Sequence, residues 1–183
     1  MKIATHIGNV TIVLDRTLGQ DDPQILIGLK KPKGKKDGKR KRKRIGVGRW
    51  VPPGGATEND DKSQKHAAQR ELRQETGLDF PLKLFQKVGV LRGYINSTDI
   101  PTWLVHIYLV DASEREKTFV PNEEYVEMRW FKLSKLPFEK MLQGDRNWLP
   151  KIAKGQKLSI RIVANENADR AFSIDIRPIH SFN

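Results

Sequence analysis

Apolar residues fall along this chain in short, interrupted runs. β-Branched and aliphatic residues crowd "GNVTIVLD" and "QILIGLK", with the turn-rich connector "RTLGQDDP" between them, which predicts two strands. Further on, "IGVGRWVPPGG" is so rich in glycine and proline that it predicts no regular structure. Ser63 to Thr76 carries the one long helical signal, with Asp60 and Asp61 before it and Gly77 after it. Acids favour the positive end of a helix dipole, Ser63 or Asp61 can cap it, and glycine suits the left-handed residue that ends it. Ala68, Leu72 and Thr76 share one stripe, and Ala67, Glu71 and Glu75 share the next, so one stripe can face a sheet while the other faces a cleft.

Beyond the helix, "FQKVGVLRGY", "TWLVHIYLV" and "VEMRWFKL" alternate or run apolar as strands do, "FEKML" and "RNWLPKIAKG" read as short helices, and "QKLSIRIVANENADRAFSIDI" reads as a hairpin about "NENAD". The order strands, helix, strands, helix, hairpin predicts a mixed sheet with helices against it, an α/β or α+β fold. With 183 residues, a single domain over 1–183 is expected. There is no internal repeat.

Charge changes this picture in one place. The formal net charge is +12, but Lys30 to Arg44 holds eleven Lys or Arg and one Asp, or +10, which leaves +2 for the rest of the chain. That run lacks aromatics and contains Pro32, Gly34 and Gly38, so it is expected to be a basic loop inserted at about 31–44. It offers phosphates a place to bind, and nucleic acid contact through it is one expectation; simple solvation is the plain alternative. Cysteine is absent, which excludes disulfides, thiolate metal sites and cysteine nucleophiles. No apolar run reaches the roughly 18 to 20 residues of a membrane span, so no membrane segment is expected. A cytoplasmic protein follows, or a nuclear one in a eukaryote.

Candidate chemistry gathers on the helix. Glu71 and Glu75 lie one turn apart on the same face, with Gln74 beside them. Two acids so close repel unless a cation or shared proton sits between them, and hard ions such as Mg²⁺ take several oxygen ligands together with substrate phosphates. The plain alternative is a solvated helix face. Glycines 54 and 55 can bring backbone close to a ligand, and Arg70 can pair with an acid of the cluster.

The stretch "GG…RELRQETGL" resembles the Nudix box, with Arg70, Glu71, Leu72, Glu75, Gly77 and Leu78 matching as they stand. Gln74 stands where the family has the first glutamate of a pair. The earlier glutamate of the box falls on Lys62, and Gly55 lies one residue farther from Arg70 than the pattern, an insertion that leaves Asp60 or Asp61 to replace that acid. Nearly the whole chain outside the basic run is similar to the MutT and 8-oxo-dGTP diphosphatase branch, the oxidised purine nucleoside triphosphatases. The resemblance implies an α/β/α sandwich and a Mg²⁺-dependent attack of water on a purine nucleoside triphosphate, releasing monophosphate and pyrophosphate, with Mn²⁺ as the alternate ion. It implies catalytic roles for Glu71, Glu75 and Gln74, and metal ligands at Glu71, Glu75, Gly55 and one loop acid, for which Glu124 is favoured over Glu123 and Glu127.

For substrate binding the resemblance points to Lys30, Val51, Gly54, Asp145 and Trp148. Asp145 would hydrogen-bond the base edge; its plain alternative is the N-cap of a helix starting at Arg146. Leu142, Gly144 and Val51 replace a tryptophan, an aspartate and an asparagine of the family. His106 is expected to be a hydrogen-bonded strand residue. Two other functions remain in view: a Nudix hydrolase of dinucleoside polyphosphates or RNA caps, and a catalytically weakened Nudix-like module tethered to nucleic acid by the basic run.

Overall fold

In the computed structural model, described over residues 4, 6–31, 45–96, 99–115, 117–166, 168 and 170–182, eight strands build one sheet. They are β1 (His6–Asp15), β2 (Gln24–Lys30), β3 (Trp50–Val51), β4 (Gln86–Ile95), β5 (Trp103–Asp111), β6 (Tyr125–Lys132), β7 (Leu158–Ala164) and β8 (Ala171–Pro178). The order is β3-β2-β1-β5-β4-β7-β8, with β6 also paired to β2. The pairs β1–β5 and β4–β7 are parallel and the others antiparallel, so the sheet is mixed, as expected. The basic run from Pro32 to Arg44 lies outside the described residues.

The central strands are buried on both faces, which is why they read as nearly continuous apolar runs. Neighbouring residues go to opposite cores: Ile12, Ile25 and Ile107 to one, and Val13, Leu26 and Tyr108 to the other. Helix α1 (Gln64–Thr76) supplies Ala68 and Leu72 to the second core, and helix α2 (Asp145–Ala153) supplies Trp148, Leu149 and Ile152 to the first. Two helical layers therefore enclose the sheet.

Three expectations need correction. Trp50 and Val51 form a short strand against Leu29 and Gly28 inside the glycine- and proline-rich stretch, because only two residues between the turns are needed to extend the ladder. "FEKML" contains a single 3-10 turn, Phe138–Lys140. Asp145 is the first residue of α2, not its cap; Gly144 takes the cap position, with no side-chain hydrogen bond there. Among the described residues no helix is long and apolar enough to cross a membrane.

Candidate active site

Helix α1 begins where Ser63 Oγ accepts the His66 N–H (3.3 Å) and ends where Gly77, at φ +74°, donates its N–H to the Arg73 carbonyl (2.9 Å). With Ala68 and Leu72 docked on the sheet, Glu75 is carried inward, Glu71 is half-buried and Gln74 is exposed. The Gly54–Gly55 turn crosses directly over these acids. Gly54 has φ +155°, and a Cβ there would collide with the Asn9 carbonyl; a Cβ on Gly55 would lie 2.5 Å from the Glu71 carboxylate. Both positions therefore require glycine, one for backbone packing and one for the acid.

Glu75 is only 2% exposed. Its Oε2 accepts the Gly54 N–H (2.7 Å) and the Tyr125 hydroxyl (3.0 Å), and its Oε1 lies 4.0 Å from Lys30 Nζ. Burial pushes this carboxyl up to about 7, against the opposing pull of Lys30, the Gly54 N–H and Tyr125. Glu71 is also raised, first by burial, with Arg70 opposing and with Glu58 and Glu124 adding repulsion. Lys30 Nζ stands 3.7 Å from Glu124 Oε2 and 5.8 Å from the Tyr125 ring centre. The Tyr125 phenol is held far above its ordinary range by burial and by the charges of Glu75, Glu124 and Glu71. Of the three carboxylates, Glu75 is the one bonded to the hydroxyl; Glu124 and Glu71 act on it through their charge.

Arg70 organises the other side of the cluster. Its Nε and Nη2 donate to the two Asp61 oxygens (3.0 and 2.8 Å), its Nη1 to Glu71 Oε1 (2.9 Å) and Gln74 Oε1 (3.1 Å), and its Nη2 also to the Ala56 carbonyl (3.0 Å). This fork holds the Asp61 carboxyl below its ordinary range. Asp61 is therefore the acid brought to Arg70, while Lys62 is exposed. Gln74 reaches Arg70 at the rim and lies apart from the buried carboxylate.

The Gly55 carbonyl accepts the Asn9 N–H (2.9 Å), so it is engaged by β1. Val51 packs in the core beneath α1, because its neighbour Trp50 takes the opposite face of the short strand. Asp145 is 4% exposed, and its Oδ2 accepts the Leu142 N–H (3.2 Å). Burial pushes its carboxyl up to about 7. The Trp148 indole N–H is close enough to lower that value, yet among the described residues it meets no acceptor in hydrogen-bonding geometry, so it neighbours the carboxyl without donating to it. Trp148 itself is core. His106 lies in β5, as expected of a strand residue, while its Nδ1 has no hydrogen-bond partner among the described residues, and burial followed by Lys87 and Arg92 lowers the ring to about 4.

Tyr125 was not foreseen, since neither the box nor the helix spacing marks it; of Asp60 and Asp61, both expected as possible replacements for the missing box acid, Asp61 is the one that pairs with Arg70. Glu123 is exposed, and Glu127 pairs outward with Arg129, which leaves Glu124 as the loop acid at the cluster. A cavity of about 650 Å³ opens beside Leu29, Trp50, Arg129, Phe131 and Lys140. Leu29 and Lys30 point to opposite faces of β2, so this cavity and the acid cluster are separated by the strand.

Among the described residues no three acidic or histidine side chains form a ready-made metal cage. The donor chemistry nevertheless fits a hard divalent cation: Glu71 and Glu75, both raised by burial and by neighbouring negative charge, would gain from a doubly charged ion, and Glu124 adds a third carboxylate on the far side of Lys30.

The NUDIX domain family model matches residues 35–152. The chain belongs to the NUDIX domain family. A relative, the oxidized purine nucleoside triphosphate hydrolase of Danio rerio, is 33% identical over 111 residues, which are 60% of this chain and 66% of that protein. Among solved structures, the MutT protein of Bacillus halodurans shares this Nudix fold with a TM-score of 0.67 at 18% identity, over 93% of this chain and 97% of that one. The MutT/nudix family protein of Enterococcus faecalis gives a TM-score of 0.55 at 15% identity over 72% of this chain, which spans 45% of that chain's length.

Proposed function

We propose that the protein is a divalent-cation-dependent Nudix hydrolase that cleaves purine nucleoside triphosphates, oxidised ones included, to monophosphate and pyrophosphate. The observation that carries this reading is Glu75 buried beneath the Gly54 turn and Tyr125, with Glu71 packed against Gly55 one helical turn away and Lys30 linking Glu75 to Glu124. The purine triphosphate class rests on the likeness to the Danio rerio hydrolase.

Glu71, Glu75 and Glu124 would hold Mg²⁺ or Mn²⁺, which when bound neutralises diphosphate charge and favours ionisation of the attacking water. Lys30 touches Glu75 and Glu124 only at 4.0 and 3.7 Å, so a phosphate oxygen competes well for its ammonium and is drawn toward the acids. Arg70, held by its fork to Asp61, donates Nη1 to Glu71 and Nη2 to the Ala56 carbonyl, which fixes the carboxylate against the glycine turn. Tyr125 and the Gly54 N–H hold one oxygen of Glu75, leaving Oε1 toward Lys30 and the substrate side. Water adds at one phosphorus of the α,β-anhydride, the bond from that phosphorus to the bridging oxygen breaks, the bridging oxygen leaves with the other product, and the proton lost by the water passes to solvent.

The test is incubation with normal and 8-oxo-purine triphosphates, with Mg²⁺ or with EDTA, followed by phosphorus NMR of the products. Monophosphate and pyrophosphate, formed only with the metal ion, support the reading. Orthophosphate as the first product, or turnover unaffected by EDTA, contradicts it. Dinucleoside polyphosphates and capped RNA belong in the same panel, and preference for either would move the substrate assignment.

A further inference from the structure

We propose that the sheet face formed by β4, β7 and β8, on the side where α1 lies over β1 and β5, binds single-stranded nucleic acid. Phosphates would sit on Arg92, Lys87 and Arg177, and bases would stack on the Arg161–Tyr94 pair. The proposal is independent of the hydrolytic reading and of the basic run from Lys30 to Arg44.

The face follows from alternation. Leu91, Ile160, Ile162 and Ile176 pack into the core on the α2 side, so Arg92, Tyr94, Ser159, Arg161, Asp175 and Arg177 project from the other side. Register places Arg92 beside Arg161, and Arg161 beside Asp175, in one row across three strands; Val90, Ser159 and Arg177 form the next row. The Arg161 guanidinium lies 4.3 Å from the Tyr94 ring centre. Arg92 Nη1 donates to Ser159 Oγ at 3.4 Å, a long bond. Arg92, Arg161 and Arg177 are exposed.

This row carries more positive charge than its own acid offsets. Asp175 is drawn to Arg177 (2.9 Å), which leaves Arg92 and Arg161 as neighbouring like charges on adjacent strands, an arrangement that destabilises a sheet. Lys87 adds to the same field: with Arg92 it disfavours the charged form of His106, after burial. An anion placed over the row relieves that repulsion. Phosphate supplies complementary charge, and the guanidinium plane with the tyrosine beneath it is the kind of platform on which unpaired bases stack. A duplex offers no free base faces, and an acidic peptide offers no planar rings, so a single strand is the occupant this surface suits.

The test is fluorescence anisotropy of the full chain with a fluorescein-labelled oligouridylate of about 20 nucleotides, titrated from low to high salt. Arg92→Glu with Arg161→Glu should weaken binding at least about tenfold and reduce the slope of log K against log salt by at least about 0.7, for the phosphate on Arg92 no longer neutralised. Tyr94→Ala should weaken binding about tenfold while leaving that slope unchanged. Circular dichroism and the unfolding midpoint establish that each variant is folded. Should the double reversal not fold, Arg161→Gln and Tyr94→Ala carry the same comparison. Wild-type affinity in the arginine variant would overturn the proposal, because binding would then reside elsewhere, as would indifference to Tyr94→Ala. Equal competition by polyglutamate or by a duplex of the same length would also overturn it, since the face would then read charge alone.

Discussion

Replacing Glu75 by glutamine should stabilise the protein in the absence of metal while abolishing hydrolysis. Glu75 is 2% exposed and its carboxyl is raised from 4.5 to about 7, chiefly by burial. Below about pH 4.5 both the folded and unfolded chains hold this proton, so the group costs nothing. As pH rises toward 7 the unfolded chain releases the proton while the folded chain keeps it, and stability falls. Between about pH 5 and about pH 8 this single group removes on the order of 2.5 kcal/mol, since a tenfold change in proton affinity is worth about 1.36 kcal/mol. Glutamine keeps an oxygen for the Gly54 N–H and Tyr125 and has no proton to lose. Urea unfolding of both proteins in EDTA at the two pH values checks this, since other titrating groups, Asp145 among them, cancel in the difference. The variant should gain relative stability as pH rises, by about that amount. Equal pH slopes for the two proteins, or a variant that loses relative stability at high pH, would refute the reasoning.

Lys30→Met should raise the Glu75 carboxyl further, because Lys30 is the largest influence lowering it; the acid limb of kcat/KM against pH should then move upward, and an unmoved limb would dissociate Lys30 from the cluster. Gly55→Ala forces a methyl group against the Glu71 carboxylate and should cost about 100-fold in kcat, the scale of a 1 Å misplacement, while the unfolding midpoint changes little. Arg70→Lys breaks the fork to Asp61, whose side chain is 6% exposed against 18% for Arg70; urea unfolding should show a loss of about 1–2 kcal/mol after allowance for solvent screening. In an Asp61→Asn background that loss should shrink, since the partner is already gone.

The strands and α1 were legible because burial on one or both faces imposes a period, and the Ser63 and Gly77 caps are local in sequence. Glu71 and Glu75 were legible for the same reason, as an i, i+4 pair on a well-bounded helix. Glu124, favoured over Glu123 and Glu127 on the resemblance, gains a physical reason only where the end of β2 and the start of β6 stand side by side, which brings Lys30 to it. Tyr125 depends on an interaction across 50 positions and leaves no spacing to read, whereas the box spacing narrowed the replacement acid to Asp60 or Asp61 and only the path of the insertion back onto Arg70 chose Asp61. The burial of Val51 beneath α1 was not legible because a two-residue strand has no alternation from which to infer its face. Asp145 turned on the path of one backbone turn: the chain tightens at Leu142, and the carboxylate takes that N–H in place of a helix cap.

The central claim is that Glu71 and Glu75 jointly hold a divalent ion against a triphosphate. Isothermal titration of Mn²⁺ into the protein saturated with a nonhydrolysable purine triphosphate analogue tests it most directly, alongside Glu75→Gln and Glu71→Gln. Uptake by the native chain, with each variant at least about tenfold weaker, is the predicted result. No uptake by the native chain, or undiminished uptake by both variants, would contradict it.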